Sequence, residues 1–132
     1  MSLIEERIQK LLDAEDIRTL KSRYCDLIDR IMRDRKPEDA HCLGALFTDD
    51  AVLDFSQLGF GVHHGRQAII QVFTEQLPAG LAWMWHSSDS AIIDIDGDRA
   101  TGKWTLHALA AAHAEPNAVF ARYGRYEDEF IR

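Results

Sequence analysis

The tight turn Asp96-Gly97-Asp98 constrains this chain more than any other feature, because it separates two long extended runs, Leu81 to Ile95 and Arg99 to about His113. A glycine between two aspartates accepts the positive φ that a tight hairpin demands. Glu115-Pro116-Asn117 punctuates a second connection, and Ala118 to Ile131 is again extended in character. The second half of the chain therefore reads as a meander of three long antiparallel strands.

The first half has the other period. From Ser2 to about Met32 apolar residues recur at helical spacing, at Ile4, Ile8, Leu11 and Leu12, then at Ile17, Leu20, Tyr24, Leu27, Ile28 and Ile31. Ser2 with Glu5 has the form of a capping box. Asp13 offers a second cap, so the pattern allows one long helix or two with a break near residues 13 to 16. Pro37 followed by Glu38 and Asp39 starts another helix, predicted to reach about Phe47, since proline fits a first turn and acidic groups suit the positive end of the dipole. Thr48-Asp49-Asp50 ends it. Ala51 to Phe55 reads as a strand, the glycines around Phe60 as a loop, and Arg66 to about Glu75 as a further helix. Helices first and a strand meander afterwards give an α+β domain spanning residues 1–132, its helices on one side of a curved antiparallel sheet.

Composition bounds the function classes. With 46% hydrophobic residues in 132 positions, one domain can bury roughly two thirds of the surface its unfolded form exposes. The two cysteines, Cys25 and Cys42, lack the density of a disulfide scaffold and the spacing of a zinc knuckle, and are read as reduced, buried thiols. A formal net charge of −7 opposes binding to a phosphate backbone, which needs concentrated Lys and Arg. No apolar run approaches the ~20 residues of a membrane span, and the start MSLIEERIQK places acidic residues where a signal peptide wants basic ones. A soluble, cytoplasmic protein without nucleic-acid or membrane partners is expected. There is no nucleophile elbow, P-loop or dinucleotide fingerprint. His63 and His64 precede Gly65 in the expected loop, with no carboxylate or thiol spacing to complete a metal site. Cofactor-free, metal-free chemistry is the expectation.

The phrases LKSRYCDLIDR, LGALFTDDAVLDF, HHGRQAIIQVF and WHSSDSAIIDIDGDRATGKW, in this order, resemble the SnoaL-like, scytalone-dehydratase-like branch of the NTF2-like superfamily over nearly the whole chain. The resemblance implies a curved sheet forming a cone, three to four helices packed on it, and an enclosed small-molecule pocket. Family members usually follow a strand like Gly124 to Arg132 with a turn and one more strand. The resemblance thus implies a shortened sequence or a sheet with an open edge, and an open edge invites pairing with another chain.

It also implies an Asp at the end of the first long helix opposite a His on a central strand, here Asp29 and His86. A carboxylate that accepts one imidazole N–H fixes the tautomer and leaves the other nitrogen to remove a substrate proton. Asp29 lies about 140° round the helix from Tyr24, on the margin of the apolar stripe, where it can turn inward or pair with Arg30 or Arg33. His86 shares its period-2 face with Met84, Ser88 and Ser90, while Trp83 and Trp85 point the other way. Tyr24 is a candidate electrophile or a core aromatic, and Phe55, Trp104 and Tyr126, with Ser88, are candidates to line the pocket. His107 and His113 are read as solvent-exposed.

The leading expectation is a lyase or isomerase for a small, mainly apolar cyclic substrate. The alternative is a noncatalytic binding or assembly module, such as a relative of the ring-hydroxylating dioxygenase small subunit. Trp83 and Trp85 on a convex face suggest a homodimer or homotrimer.

Overall fold

The structure, a computed structural model, describes residues 1–132. Helix α1 (Leu3–Asp34) starts as its sequence predicts. Ser2 Oγ accepts from the Glu5 amide at 3.2 Å, while the Glu5 carboxylate accepts from the Ser2 amide at 2.8 Å. The helix is unbroken, so the possible interruption at residues 13 to 16 does not occur. Asp13 instead accepts from the Gln9 side chain and pairs with Arg132, partners that hold its carboxylate away from the backbone amides it would otherwise cap. The first three turns stay in solvent, with Ile4, Ile8, Leu11 and Leu12 exposed despite their periodicity.

Helix α2 (Pro37–Gly44) is shorter than expected, because after the last α-helical bond, from the Ala45 amide to the His41 carbonyl, the Leu46 and Phe47 amides close tighter turns on Leu43 and Gly44. Gly44 packs against Ile70, and Arg30 reaches across to Asp39 at 2.8 Å, tying α1 to α2. Cys42 corrects the expectation of two buried thiols. The face of α2 that carries Leu43 turns inward and leaves Cys42 exposed, while Cys25 on α1 is buried.

Strands β1 (Val52–Phe55) and β2 (Gly61–His64) form an antiparallel pair. His63 and His64, expected in a loop, therefore lie in a strand. Gly59 and Gly61, at φ 83° and 75°, compress the reversal enough for residues 61–64 to pair. Next come α3 (Arg66–Gln71), a wide π turn (Val72–Gln76) and α4 (Leu77–Gly80). The helical path thus continues past Glu75 and through Pro78. In the wide turn the Leu77 amide reaches back to the Val72 carbonyl, which accommodates the missing amide of the proline that follows.

Strands β3 (Leu81–Asp96), β4 (Arg99–Ala112) and β5 (Phe120–Ile131) make a curved antiparallel sheet in that order, with Asp96 opposite Arg99 across the predicted turn. Between the pairs Asp89–Thr105 and Ile92–Lys103, Ser90 and Ala91 face Trp104 alone. This is a β-bulge, and Ser90 takes a left-handed φ of 55° there. It ends the alternation that grouped Ser90 with Met84, His86 and Ser88.

The core lies between α1, the shorter helices and the sheet, with Ile28, Met32, Leu43, Ile69, Val72 and Phe73 fully enclosed. No helix is long and apolar enough to cross a membrane. At the far end of β4 the indole of Trp104 folds back over Gly102, where a Cβ would fall inside the indole and 3.1 Å from Phe130. Gly102→Ala is therefore expected to destabilise the fold by about 1–3 kcal/mol through overpacking, read as a lower midpoint in urea with an unchanged slope.

Candidate active site

Three positions on α1 separated by single turns, Lys21, Cys25 and Asp29, face the sheet as a polar stripe inside an otherwise apolar interface. Each meets a different partner. Lys21 Nζ lies 2.6 Å from the Asp128 carboxylate, the Cys25 thiol donates to Ser88 Oγ at 3.8 Å, and Asp29 meets His86.

The Asp29 contact is two-pronged. Its Oδ1 lies 2.6 Å from His86 Nδ1 and its Oδ2 accepts from the His86 backbone amide at 2.9 Å. β3 pairs only with β4, so it is an edge of the sheet, and the carboxylate secures both the backbone and the ring of one edge residue. A carboxylate oxygen only accepts, so Nδ1 carries the hydrogen and the lone pair of the neutral ring resides on Nε2. Nε2 has no protein partner, although the His86 side chain is only 7% exposed and that of Asp29 17%.

Both residues line a groove of about 260 Å³ between α1 and the edge of β3. Ser22, Cys25 and Asp26 complete its helix side, and Trp85 and Ser88 its strand side. That volume sits just below the roughly 300–1,000 Å³ of ordinary small-molecule pockets. Burial holds the Cys25 thiol above its ordinary pKa, so it faces the groove as a neutral donor rather than a thiolate.

The remaining candidates separate into two sets. Ser88 joins Asp29 and His86 at the groove. Tyr24 does not: it is buried edge-on against Phe47, Phe73 and Tyr126, and burial pushes its phenol well above the ordinary range. Phe55 packs on Phe73, Trp104 on Phe130, and Tyr126 on Tyr24, so these three belong to the aromatic core rather than to the groove wall. Each ring is taken up by an edge-to-face contact with another aromatic side chain, Phe73, Phe130 or Tyr24. His107 stacks edge-on with Tyr123 on the exposed side of β4, and His113 donates to the Pro78 carbonyl at 2.8 Å. His63 donates to the Phe60 carbonyl at 2.6 Å. No three His, Cys, Asp or Glu side chains gather as a metal centre requires.

Lys21 was not singled out in the sequence. Its side chain is 5% exposed, with Nζ 3.3 Å from the Tyr126 ring centroid and 4.6 Å from that of Tyr24. A lysine on an amphipathic helix ordinarily reads as solvated. Its place on the helix is the available signal, since Lys21 falls within the stripe of Ile17, Leu20, Tyr24 and Ile28, while Cys25 and Asp29, four and eight residues on, follow it along the margin of that stripe.

Residues 9–132 match the family model of the SnoaL-like domain. Among solved structures the chain is similar to the hexachlorocyclohexane dehydrochlorinase LinA-type3 from Novosphingobium barchaimii, with a TM-score of 0.79 and 16% identity, covering 96% of this chain and 80% of that one. It is similar also to a scytalone dehydratase-like protein from Novosphingobium aromaticivorans, with a TM-score of 0.76 and 18% identity over 93% and 76% of the two chains. An NTF2-like protein with a cystatin-like fold from the same organism gives a TM-score of 0.76 and 25% identity over 98% and 78%. At 16% and 18% identity the likeness is one of fold. Comparison with curated proteins gives no match.

Proposed function

This chain belongs to the SnoaL-like domain family, and we propose that its Asp29–His86 pair is the general base of a cofactor-free lyase or isomerase for a small cyclic substrate. The observation that carries this reading is the two-pronged grip of Asp29 on His86, which leaves one unpartnered imidazole nitrogen on a groove wall. An imidazole held in this tautomer accepts a proton at Nε2, and the carboxylate stabilises the imidazolium that forms. That imidazolium can then hand the proton to a leaving group on the same face of the substrate, or return it at a different carbon. One residue thereby serves as base and then acid, so elimination does not require a second histidine. Two structural neighbours carry the names of elimination enzymes, a dehydrochlorinase and a dehydratase, which is the chemistry this arrangement suits.

The test separates proton abstraction from the leaving group. Small cyclic ketones incubated with the protein in deuterium oxide are expected to incorporate deuterium next to the carbonyl, and Asp29→Asn to reduce that exchange at least about tenfold, because a carboxamide can donate to Nδ1 and favour the wrong tautomer. Exchange no faster than in buffer, or undiminished in Asp29→Asn, would move the assignment to a noncatalytic binding module.

A further inference from the structure

Helix α1 carries two apolar stripes on opposite sides. At about 100° per residue Ile17 lies half a turn round from Ile8, and because the helix is unbroken that offset is fixed. The stripe of Tyr24, Ile28 and Ile31 faces the core, with Ile17 and Leu20 half-buried along it. The stripe of Ile4, Ile8, Leu11 and Leu12 faces the other way, and these four residues are between 50% and 71% exposed. Residues 3–12 are exposed throughout, so about 15 Å of helix stands free of the body. Aligned aliphatic side chains on a segment that packs against nothing of its own chain mark an interaction surface. Ile4 and Ile8 also precede residues 9–132, the segment that matches the family model.

Area and spacing favour a second copy as the occupant. The chain exposes 8647 Å², whereas a folded monomer of 15.0 kDa exposes about 7,000 Å². The excess of roughly 1,600 Å² is about twice the ~800 Å² that each partner gives to a stable interface. A second copy brings a stripe of the same length and the same spacing, i, i+4, i+7 and i+8, which is the seam of paired helices. A lipid surface fits less well. Residues 3–12 balance Glu5 and Glu6 against Arg7 and Lys10, without the Lys and Arg excess of a helix that lies in a bilayer interface.

We propose that two copies of this chain join through the N-terminal third of α1, packed antiparallel and crossing near Ile8. A two-fold axis there sets Ile4 level with Leu12 of the partner subunit, so one patch serves both copies. Antiparallel packing opposes the helix dipoles and carries the two bodies to opposite ends of the pair, where parallel packing would bring them together. This contact is separate from the Trp83 and Trp85 face that the sequence suggested, of which Trp85 borders the Asp29–His86 groove.

Sedimentation velocity of the full chain over a concentration series tests this. A dimer with a Kd of about 10 µM or tighter is expected. Ile8→Glu, which sets two carboxylates against each other at the crossing, should weaken it at least about a hundredfold. Tyr123→Glu, on the exposed outer face of the sheet, should leave it unchanged. A second readout does not depend on weakening anything. In a Cys42→Ser background, Ile8→Cys should form an interchain disulfide under oxidised glutathione, since a residue at the two-fold axis meets its own copy. Glu6→Cys, on the opposite side of the same helical turn, should not. A chain that stays monomeric at about 100 µM, a trimer, or a dimer indifferent to Ile8→Glu would each overturn the proposal. Pelleting of the unaltered chain with phosphatidylserine vesicles, abolished by Ile8→Glu, would reassign the stripe to a lipid surface and overturn it as well.

Discussion

His86→Gln is expected to slow proton abstraction by about 10²–10⁴-fold, the range over which a positioned general base contributes. Glutamine keeps the backbone amide that donates to Asp29 Oδ2, so the edge of β3 stays attached to α1 while the basic nitrogen is lost. Deuterium exchange into a cyclic ketone reads the effect directly, and an unchanged urea midpoint would show that the loss is chemical rather than structural. His107→Gln provides the internal contrast. That ring is exposed and stacked on Tyr123, away from the groove, and its replacement is expected to leave the exchange rate unchanged.

Asp128→Ala is expected to destabilise the fold by about 3 kcal/mol, since removing one partner of a buried ion pair strands the other charge. The lower end of the range applies because Asp128 retains 28% exposure, while Lys21 is almost wholly enclosed. The loss has a pH signature. Burial lowers the Lys21 ammonium below its ordinary 10.5, and the charge and hydrogen bond of Asp128 pull it part of the way back. With the folded pKa beneath the unfolded one, the unfolded chain binds more protons between the two values, so stability rises with pH through that window. Deleting Asp128 deepens the depression and opens the window at lower pH. The deficit of Asp128→Ala relative to the unaltered protein is therefore largest near neutrality and shrinks toward pH 10, as Lys21 sheds its charge in the variant first. Denaturant midpoints across that range measure it. The double variant Lys21→Met with Asp128→Leu should recover most of the loss at neutral pH, because a well-packed apolar pair replaces a buried ionic one at little net change. A deficit that persists undiminished at pH 10 would show that Asp128 stabilises by packing rather than by charge.

Legibility from sequence tracked how local each determinant is. The Ser2–Glu5 cap and the Asp96-Gly97-Asp98 turn are decided within a few residues, and both stand where the sequence puts them. The β-bulge at Ser90 is set by the register of β3 against β4, so a period-2 reading of β3 alone could not contain it. The helix predicted to end near Glu75 runs on through Pro78, because the π turn ahead of the proline absorbs the amide it lacks. At the site, periodicity left Asp29 on a margin where it could turn either way, and its direction depends on an edge strand 57 positions later in the chain. Tyr24, Phe55, Trp104 and Tyr126 face inward, but inward-facing aromatics fill a core as readily as they line a cavity, and only their edge-to-face contacts, with Phe73, Phe130 and between the two tyrosines, decide between the two.

The measurement closest to the central claim is the protonation pattern of the His86 imidazole, read from long-range ¹H–¹⁵N correlation spectra of the free protein above the pH at which the ring is neutral. Asp29 as seated here requires hydrogen on Nδ1, a strongly deshielded Nδ1–H proton and a bare Nε2, with Asp29→Asn shifting the hydrogen toward Nε2. A neutral His86 protonated mainly on Nε2, or one whose pattern is indifferent to Asp29→Asn, would contradict the account, because the nitrogen it assigns to the substrate would then carry no free lone pair or owe nothing to the carboxylate.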